Sequence, residues 1–184
     1  MEVIKTAIEG VYIIEPKVFG DARGYFFESF SEREFQEKVG DIHFVQDNES
    51  MSKYGVMRGL HFQRPPYAQS KLVRCVKGKV IDVAVDIREG SPTYGKYVGS
   101  LLSSENRRQF YIPKNFAHGF LVLSDEAEFV YKCTDFYNGE DEGGIIWNDP
   151  DIAIDWPVDE IDEIILSDKD KEWKTLSESQ IKYE

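Results

Sequence analysis

Few side chains in this sequence offer chemistry at neutral pH. Three histidines occur, His43, His61 and His118, with two cysteines, Cys75 and Cys133. A metal centre draws on about three protein ligands, and no histidine here stands within a few residues of another. In His61-Phe62-Gln63, strand periodicity would put residues 61 and 63 on one face. A metal-binding sheet would want a second imidazole where this chain has Gln63, so no metal is expected. The sequence also lacks a Gly-x-Gly-x-x-Gly run, a phosphate loop and a Gly-x-Ser-x-Gly elbow, and neither cysteine has a histidine close in sequence. Nucleotide-binding folds and nucleophilic catalysis thus lose local support. Acid–base chemistry remains. His61 lies between Arg58 and Lys71, and nearby cations favour the neutral imidazole that a general base needs. Tyr131 and Tyr137 flank Lys132 and Cys133, and a tyrosine hydroxyl in a dry site can donate a proton. Lone histidines and most tyrosines only pack, so residue types leave both readings open.

Charge points to a ligand. The chain has 184 residues and a net charge of −12, with 19 of its 34 acids and 5 of its 22 bases falling from Leu121 onward. Between Glu49 and Asp82 there is no acid at all, while Lys53, Arg58, Arg64, Lys71, Arg74, Lys77 and Lys79 all occur. A cationic window in an acidic protein suggests a small anionic ligand. Nucleic acid is not expected, because the overall field repels a polyanion. No apolar run approaches the roughly 20 residues of a membrane span. The start, Met1-Glu2-Val3-Ile4-Lys5, lacks the apolar stretch of a signal peptide, so a cytoplasmic chain with reduced, buried thiols is expected.

Aromatic content of 14% and many short alternating runs predict a β sandwich or barrel. The expected strands are 11–14, 24–30, 72–76, 80–87, 96–102, 109–112, 119–123 and 128–134. The run 80–87 predicts a half-buried strand, with Ile81, Val83, Val85 and Ile87 inward and Asp82, Ala84 and Asp86 outward. Ser31-Glu32-Arg33-Glu34 fits a capping box for a helix that Gly40 ends, and a short helix is expected after Ser167, with Asp170 at its capping position. One domain over 1–184 follows, with an acidic C-terminal extension from about residue 150.

Ordered motifs then carry a resemblance. Glu15 to Gly24, Phe44-Val45-Gln46-Asp47-Asn48, Arg58-Gly59-Leu60-His61-Phe62-Gln63, Lys71 to Cys75, Ile112-Pro113 through Phe116-Ala117-His118-Gly119-Phe120, and Glu128 to Lys132 resemble the dTDP-4-dehydrorhamnose 3,5-epimerase family. The likeness continues through Asn148-Asp149-Pro150, Asp155-Trp156-Pro157 and Leu166 to Asp170. It implies a cupin jelly roll, a homodimer and a cofactor-free isomerase. The implied substrate is dTDP-4-dehydro-6-deoxy-D-glucose, inverted at carbons 3 and 5 to dTDP-4-dehydro-β-L-rhamnose for L-rhamnose and polysaccharide synthesis. By the same resemblance His61 is the base, Asp170 orients it, Tyr131 donates the proton and Lys71 stabilises the enolate. Arg23, Glu28, Gln46, Asp47, Asn48, Arg58, His118, Tyr137, Glu142 and Lys169 fall on substrate-binding positions. Competing readings are a single-carbon epimerase or keto-isomerase on a related dTDP-keto-sugar, and a non-catalytic cupin that binds nucleotide sugars. Gly59 and Gly119 are expected to supply turns, and Trp147, Trp156 and Trp173 to pack.

Overall fold

The computed structural model describes residues 1–159, 161–179 and 181; positions 160, 180 and 182–184 of the expected 1–184 domain lie outside the described residues. Two antiparallel sheets face each other. One is ordered β1 (Glu2–Lys5), β2 (Tyr12–Glu15), β10 (Gln109–Ile112), β7 (Lys71–Lys77), β12 (Glu126–Cys133), β5 (Gln46–Lys53). The other is ordered β13 (Glu142–Gly144), β6 (Met57–Gln63), β11 (Phe116–Val122), β8 (Lys79–Asp86), β9 (Tyr97–Ser103). A separate hairpin pairs β3 (Phe19–Asp21) with β4 (Gly24–Phe26). This is the β sandwich of a jelly-roll cupin, as expected.

Strand alternation builds the core between the sheets. Val73, Cys75, Phe110, Ala127 and Phe129 from one sheet meet Val80, Ala84, Leu102, Phe116, Phe120 and Val122 from the other. The far face of the five-stranded sheet is buried too. Met57, Leu60, Phe62, Val83, Val85 and Leu121 pack there against Ile145, Ile152, Trp156 and Leu176 of the C-terminal segment. The acidic extension is therefore a cover over the sheet. It is also why the half-buried reading of 80–87 fails: β8 is buried on both faces, with Asp82 and Asp86 pointing between the sheets or into their rim. Helix α1 (Glu32–Lys38) forms where its capping box predicts, Ser31 accepting from Glu34 N, and it lays Phe35 over Leu72 and Tyr111.

Buried carboxylates need partners, and Asp86 has several. It accepts from Arg88 Nε at 2.9 Å, Arg88 Nη2 at 2.7 Å, Ser91 Oγ at 2.6 Å and Thr93 Oγ1 at 2.5 Å. Burial pushes this carboxyl up, but the donors outweigh it and hold it well below the usual range. A carboxyl depressed in the folded state adds stability above its unfolded pKa, and that gain disappears as pH falls through the folded value. Asp86→Ala is expected to destabilise the fold by about 3 kcal/mol at pH 7. Urea denaturation should show the gap to wild type narrowing below about pH 4.

Candidate active site

The site forms where polar residues replace apolar ones at one end of the inter-sheet core. On β5, alternation turns Gln46 and Asn48 inward, opposite Cys133 and Tyr131 of β12. On β7, Lys71 is the cross-strand partner of Cys133. On β6, His61 lies between His118 of β11 and Gly144 of β13. These inward positions converge. Gln46, Asn48, His61, Gln63, Gln69, Lys71, Tyr131, Cys133, Tyr137 and Glu142 line one cavity of about 340 Å³.

His61 occupies its place through glycine contacts rather than turns, which corrects the expectation for Gly59 and Gly119. Gly59 has φ +121, and a Cβ there would stand 2.6 Å from Gly119 Cα. A Cβ on Gly119 would stand 2.7 Å from Arg58 O. Both glycines let β6 and β11 cross at close range.

Asp170 arrives from the C-terminal segment. Helix α2 (Asp168–Lys171) is capped by Ser167, whose side chain accepts from Asp170 N. The Asp170 side chain is free for another partner, and its Oδ1 lies 2.5 Å from His61 Nε2. Asp170 is therefore both the helix-cap position and the imidazole's partner. It is only 3% exposed. Burial pushes its carboxyl up, yet contacts with His61, Ser167 and Trp173 outweigh that and hold it low. An ionised carboxylate only accepts, so Nε2 carries the hydrogen and Nδ1 keeps a free lone pair.

Around this pair the cavity carries an amine and a phenol. Burial lowers the Lys71 amine, while Cys133, Glu142 and Asp82 oppose that shift. Its Nζ lies 5.9 Å from the Tyr131 ring centroid. Burial raises the Tyr131 phenol, which stays protonated at neutral pH, and the Arg58 charge acts in the other direction. Arg58 Nε donates to Ser52 Oγ at 2.9 Å. At the rim, Tyr137 donates to Glu142 at 2.6 Å, and Lys169 also bonds Glu142. Burial pushes Glu142 up, but these donors outweigh it and keep it low.

Several expected residues stand apart. Asp47 alternates to the opposite face of β5 and pairs with Lys132 at 2.9 Å. His118 is buried beside His61, but its imidazole goes to both Asp82 oxygens at 2.9 Å. Arg23, its side chain 90% exposed, pairs with Asp21 at the β3–β4 turn, and Glu28 lines a different cavity with Phe30 and Phe35. The cationic window is likewise divided: Lys71 enters the cavity, whereas Lys77 pairs with Glu126 elsewhere. Lys71 and Lys77 stand at opposite ends of β7, and Arg74, three residues from Lys71, lines other cavities on the opposite face.

Some lining residues were not foreseen. Cys133 lies two residues beyond Tyr131 on the same strand, a spacing that signals a shared face. Gln63 donates to Tyr67 O at 2.7 Å and Phe136 O at 3.1 Å and accepts from Asn138 N at 2.7 Å. It ties together the two loops that border the cavity. Trp173, expected only to pack, donates to Asp170 Oδ1 at 3.2 Å.

An imidazole held by a carboxylate, with an amine and a protonated phenol in one cavity of a cupin sandwich, is equipped to move protons on carbon beside a carbonyl. Sequence and structure comparisons narrow this. Residues 5–178 match the family described as dTDP-4-dehydrorhamnose 3,5-epimerase. A protein of that name from Shigella flexneri is 62% identical over 171 residues, covering 92% of this chain and 93% of its own. Another from Methanothermobacter thermautotrophicus is 56% identical over 178 residues, covering 97% and 96%. A crystal structure of the dTDP-6-deoxy-D-glucose-3,5-epimerase from Legionella pneumophila, in complex with dTDP-4-keto-L-rhamnose, aligns with TM-score 0.92 at 54% identity, covering 96% of this chain and 93% of that one. The chain belongs to the dTDP-4-dehydrorhamnose 3,5-epimerase family and is an isomerase. No helix among the described residues is long and apolar enough to cross a membrane.

Proposed function

We propose that this chain epimerises dTDP-4-dehydro-6-deoxy-D-glucose at carbons 3 and 5, giving dTDP-4-dehydro-β-L-rhamnose for L-rhamnose synthesis. The observation that carries this reading is the His61–Asp170 pair, 2.5 Å apart, in one cavity with Lys71 and Tyr131. The 4-keto group acidifies the hydrogens on both neighbouring carbons. His61 Nδ1 takes one of them, and Asp170 stabilises the resulting imidazolium without accepting the proton. The electron pair of the broken C–H bond moves into an enolate whose O4 bears the charge. Lys71 faces that oxygen in a dry pocket, where a fixed cation acts on charge that grows in the transition state. Tyr131 gives its proton to the opposite face of the carbon, inverting it. The imidazolium and the tyrosinate then exchange with solvent, and the cycle repeats at the second carbon. Gln46, Asn48, Arg58, Tyr137, Glu142 and Lys169 line or border the pocket for the sugar and diphosphate, arginine being suited to paired phosphate oxygens. His118 supports His61 from the next strand.

Residues 1–184 act as one catalytic domain, in the cytoplasm. The active form on this reading is a homodimer: Phe19, Tyr25 and Phe26 of the β3–β4 hairpin are 54%, 61% and 71% exposed, an apolar patch suited to docking. Arg23 and Glu28, which lie away from the cavity within one chain, then contact substrate across the dimer, while Asp47 holds β5 through Lys132.

Proton NMR of the reaction in D₂O tests the reading. Deuterium at carbons 3 and 5 with an L-rhamno product is expected. Exchange at one carbon would make the chain a single-site epimerase, and binding without exchange would make it a sugar-nucleotide-binding cupin.

A further inference from the structure

The Trp173 indole stands against both members of the His61–Asp170 pair. Its Nε1 donates to the same oxygen of Asp170, Oδ1, that faces His61 Nε2, and its ring meets the imidazole edge-on with centroids 6.3 Å apart. Space for that ring comes from an absent side chain. Gly144 is the cross-strand partner of His61, and a Cβ on it would stand 2.2 Å from Trp173 Cε2. Trp173 lies just past the end of helix α2, which carries Asp170. Lys169 Nζ lies 5.7 Å from the centroid of the same ring.

We propose that Trp173 is a positioning residue for the base: its indole N–H fixes the Asp170 carboxylate and shares the charge that Asp170 offers to His61. The inference rests on His61 being the base and Asp170 its partner. An oxygen that accepts two hydrogen bonds presents less charge to either donor than one that accepts a single bond. Trp173 thereby moderates how strongly Asp170 holds the imidazolium, which must release its proton in every cycle. Among the described residues, the other titratable groups around the imidazole are Glu142 on β13 with Tyr137 and Lys169 bonded to it, His118 with Asp82 on β11 and β8, Lys71 on β7, and Tyr131 and Cys133 on β12. None of them is changed in the variants below.

Trp173→Phe keeps an aromatic ring and removes the N–H. The His61 imidazole, followed by NMR in the resting enzyme, should then titrate about half a pH unit higher, because the carboxylate charge falls on His61 alone. The acid limb of kcat/KM should move with it, and kcat should fall about tenfold, a size typical for partners that orient a site ligand. Gly144→Ala, which displaces the ring while keeping the indole, should raise the titration in the same direction. In the unaltered protein, the Trp173 indole N–H signal should itself shift as His61 titrates. An indole signal blind to that titration, or an unmoved His61 in folded Trp173→Phe, would reduce Trp173 to packing and overturn the inference. Asp170→Asn separates the two levels. If it leaves His61 titration and exchange unchanged, the base assignment fails; if it alters both while Trp173→Phe does not, only the role of Trp173 fails.

Discussion

His61→Asn is expected to abolish deuterium uptake at carbon 3 and carbon 5 together and to lower kcat by about 10⁴-fold, the upper end of what a positioned base supplies. Both losses arise from a single imidazole, since no other histidine lines the cavity among the described residues. Asp170 Oδ1 keeps the Trp173 indole N–H as a donor, so the buried carboxylate is not left without a partner and the fold should survive. Uptake is the decisive readout, because it reports proton removal whether or not inversion completes. Persistent uptake at either carbon in the folded variant would mean that a second group takes that proton.

Lys71→Met should separate activity from stability. Its amine is buried, and burial disfavours its charge. An apolar side chain of similar length removes that desolvation cost, so the melting temperature should rise. Activity should move the other way. Loss of a fixed donor at a developing oxyanion lowers kcat by about 10²- to 10³-fold. Because carbons 3 and 5 share the enolate oxygen at carbon 4, deuterium uptake should fall by the same factor at both. An unequal fall would place Lys71 on one step rather than on the shared oxyanion. Unchanged kcat with raised KM would make it a binding group.

Strands with apolar alternation were largely visible in the sequence, β7 and β12 with Lys71 and Tyr131 among them, while two other site-bearing strands were not. β7, β8, β9, β10 and β12 match expected runs within a few residues, because their hydrophobic alternation survives. β11 starts at Phe116, three residues before the expected Gly119, and the expected strand 24–30 shrinks to Gly24–Phe26. β5 and β6 were not foreseen. In β5 the inward residues Gln46, Asn48, Ser50 and Ser52 are polar, and in β6 Gly59 and His61 interrupt the apolar pattern. Chemistry had replaced the hydrophobic signal in these two strands. Asp82 misled for the same reason: an acid on a strand implies an outer face, unless a buried histidine such as His118 receives it. The site residues came from motif resemblance more than from pattern. The structure unites His61, Lys71, Tyr131 and Asp170, and it sets Arg23, Glu28 and Asp47 apart. Alternation could have separated Asp47 from its neighbours in advance; the distance of Arg23 and Glu28 from the cavity depends on how the β3–β4 hairpin projects, which no local pattern encodes.

The covering C-terminal segment also sets an order of assembly. The partners of the dyad are 109 residues apart in sequence, and β13, the last strand of the sheets, ends at Gly144. Every strand of the two sheets is translated before Asp170, so a chain whose tail has not docked holds His61 without the carboxylate beside it. On the proposed mechanism activity waits for the tail to dock, through Ile165 on Gly55 and Met57, Lys174 on Ile146 and Leu176 on Asp149. On that mechanism a sandwich without its docked tail turns over no substrate.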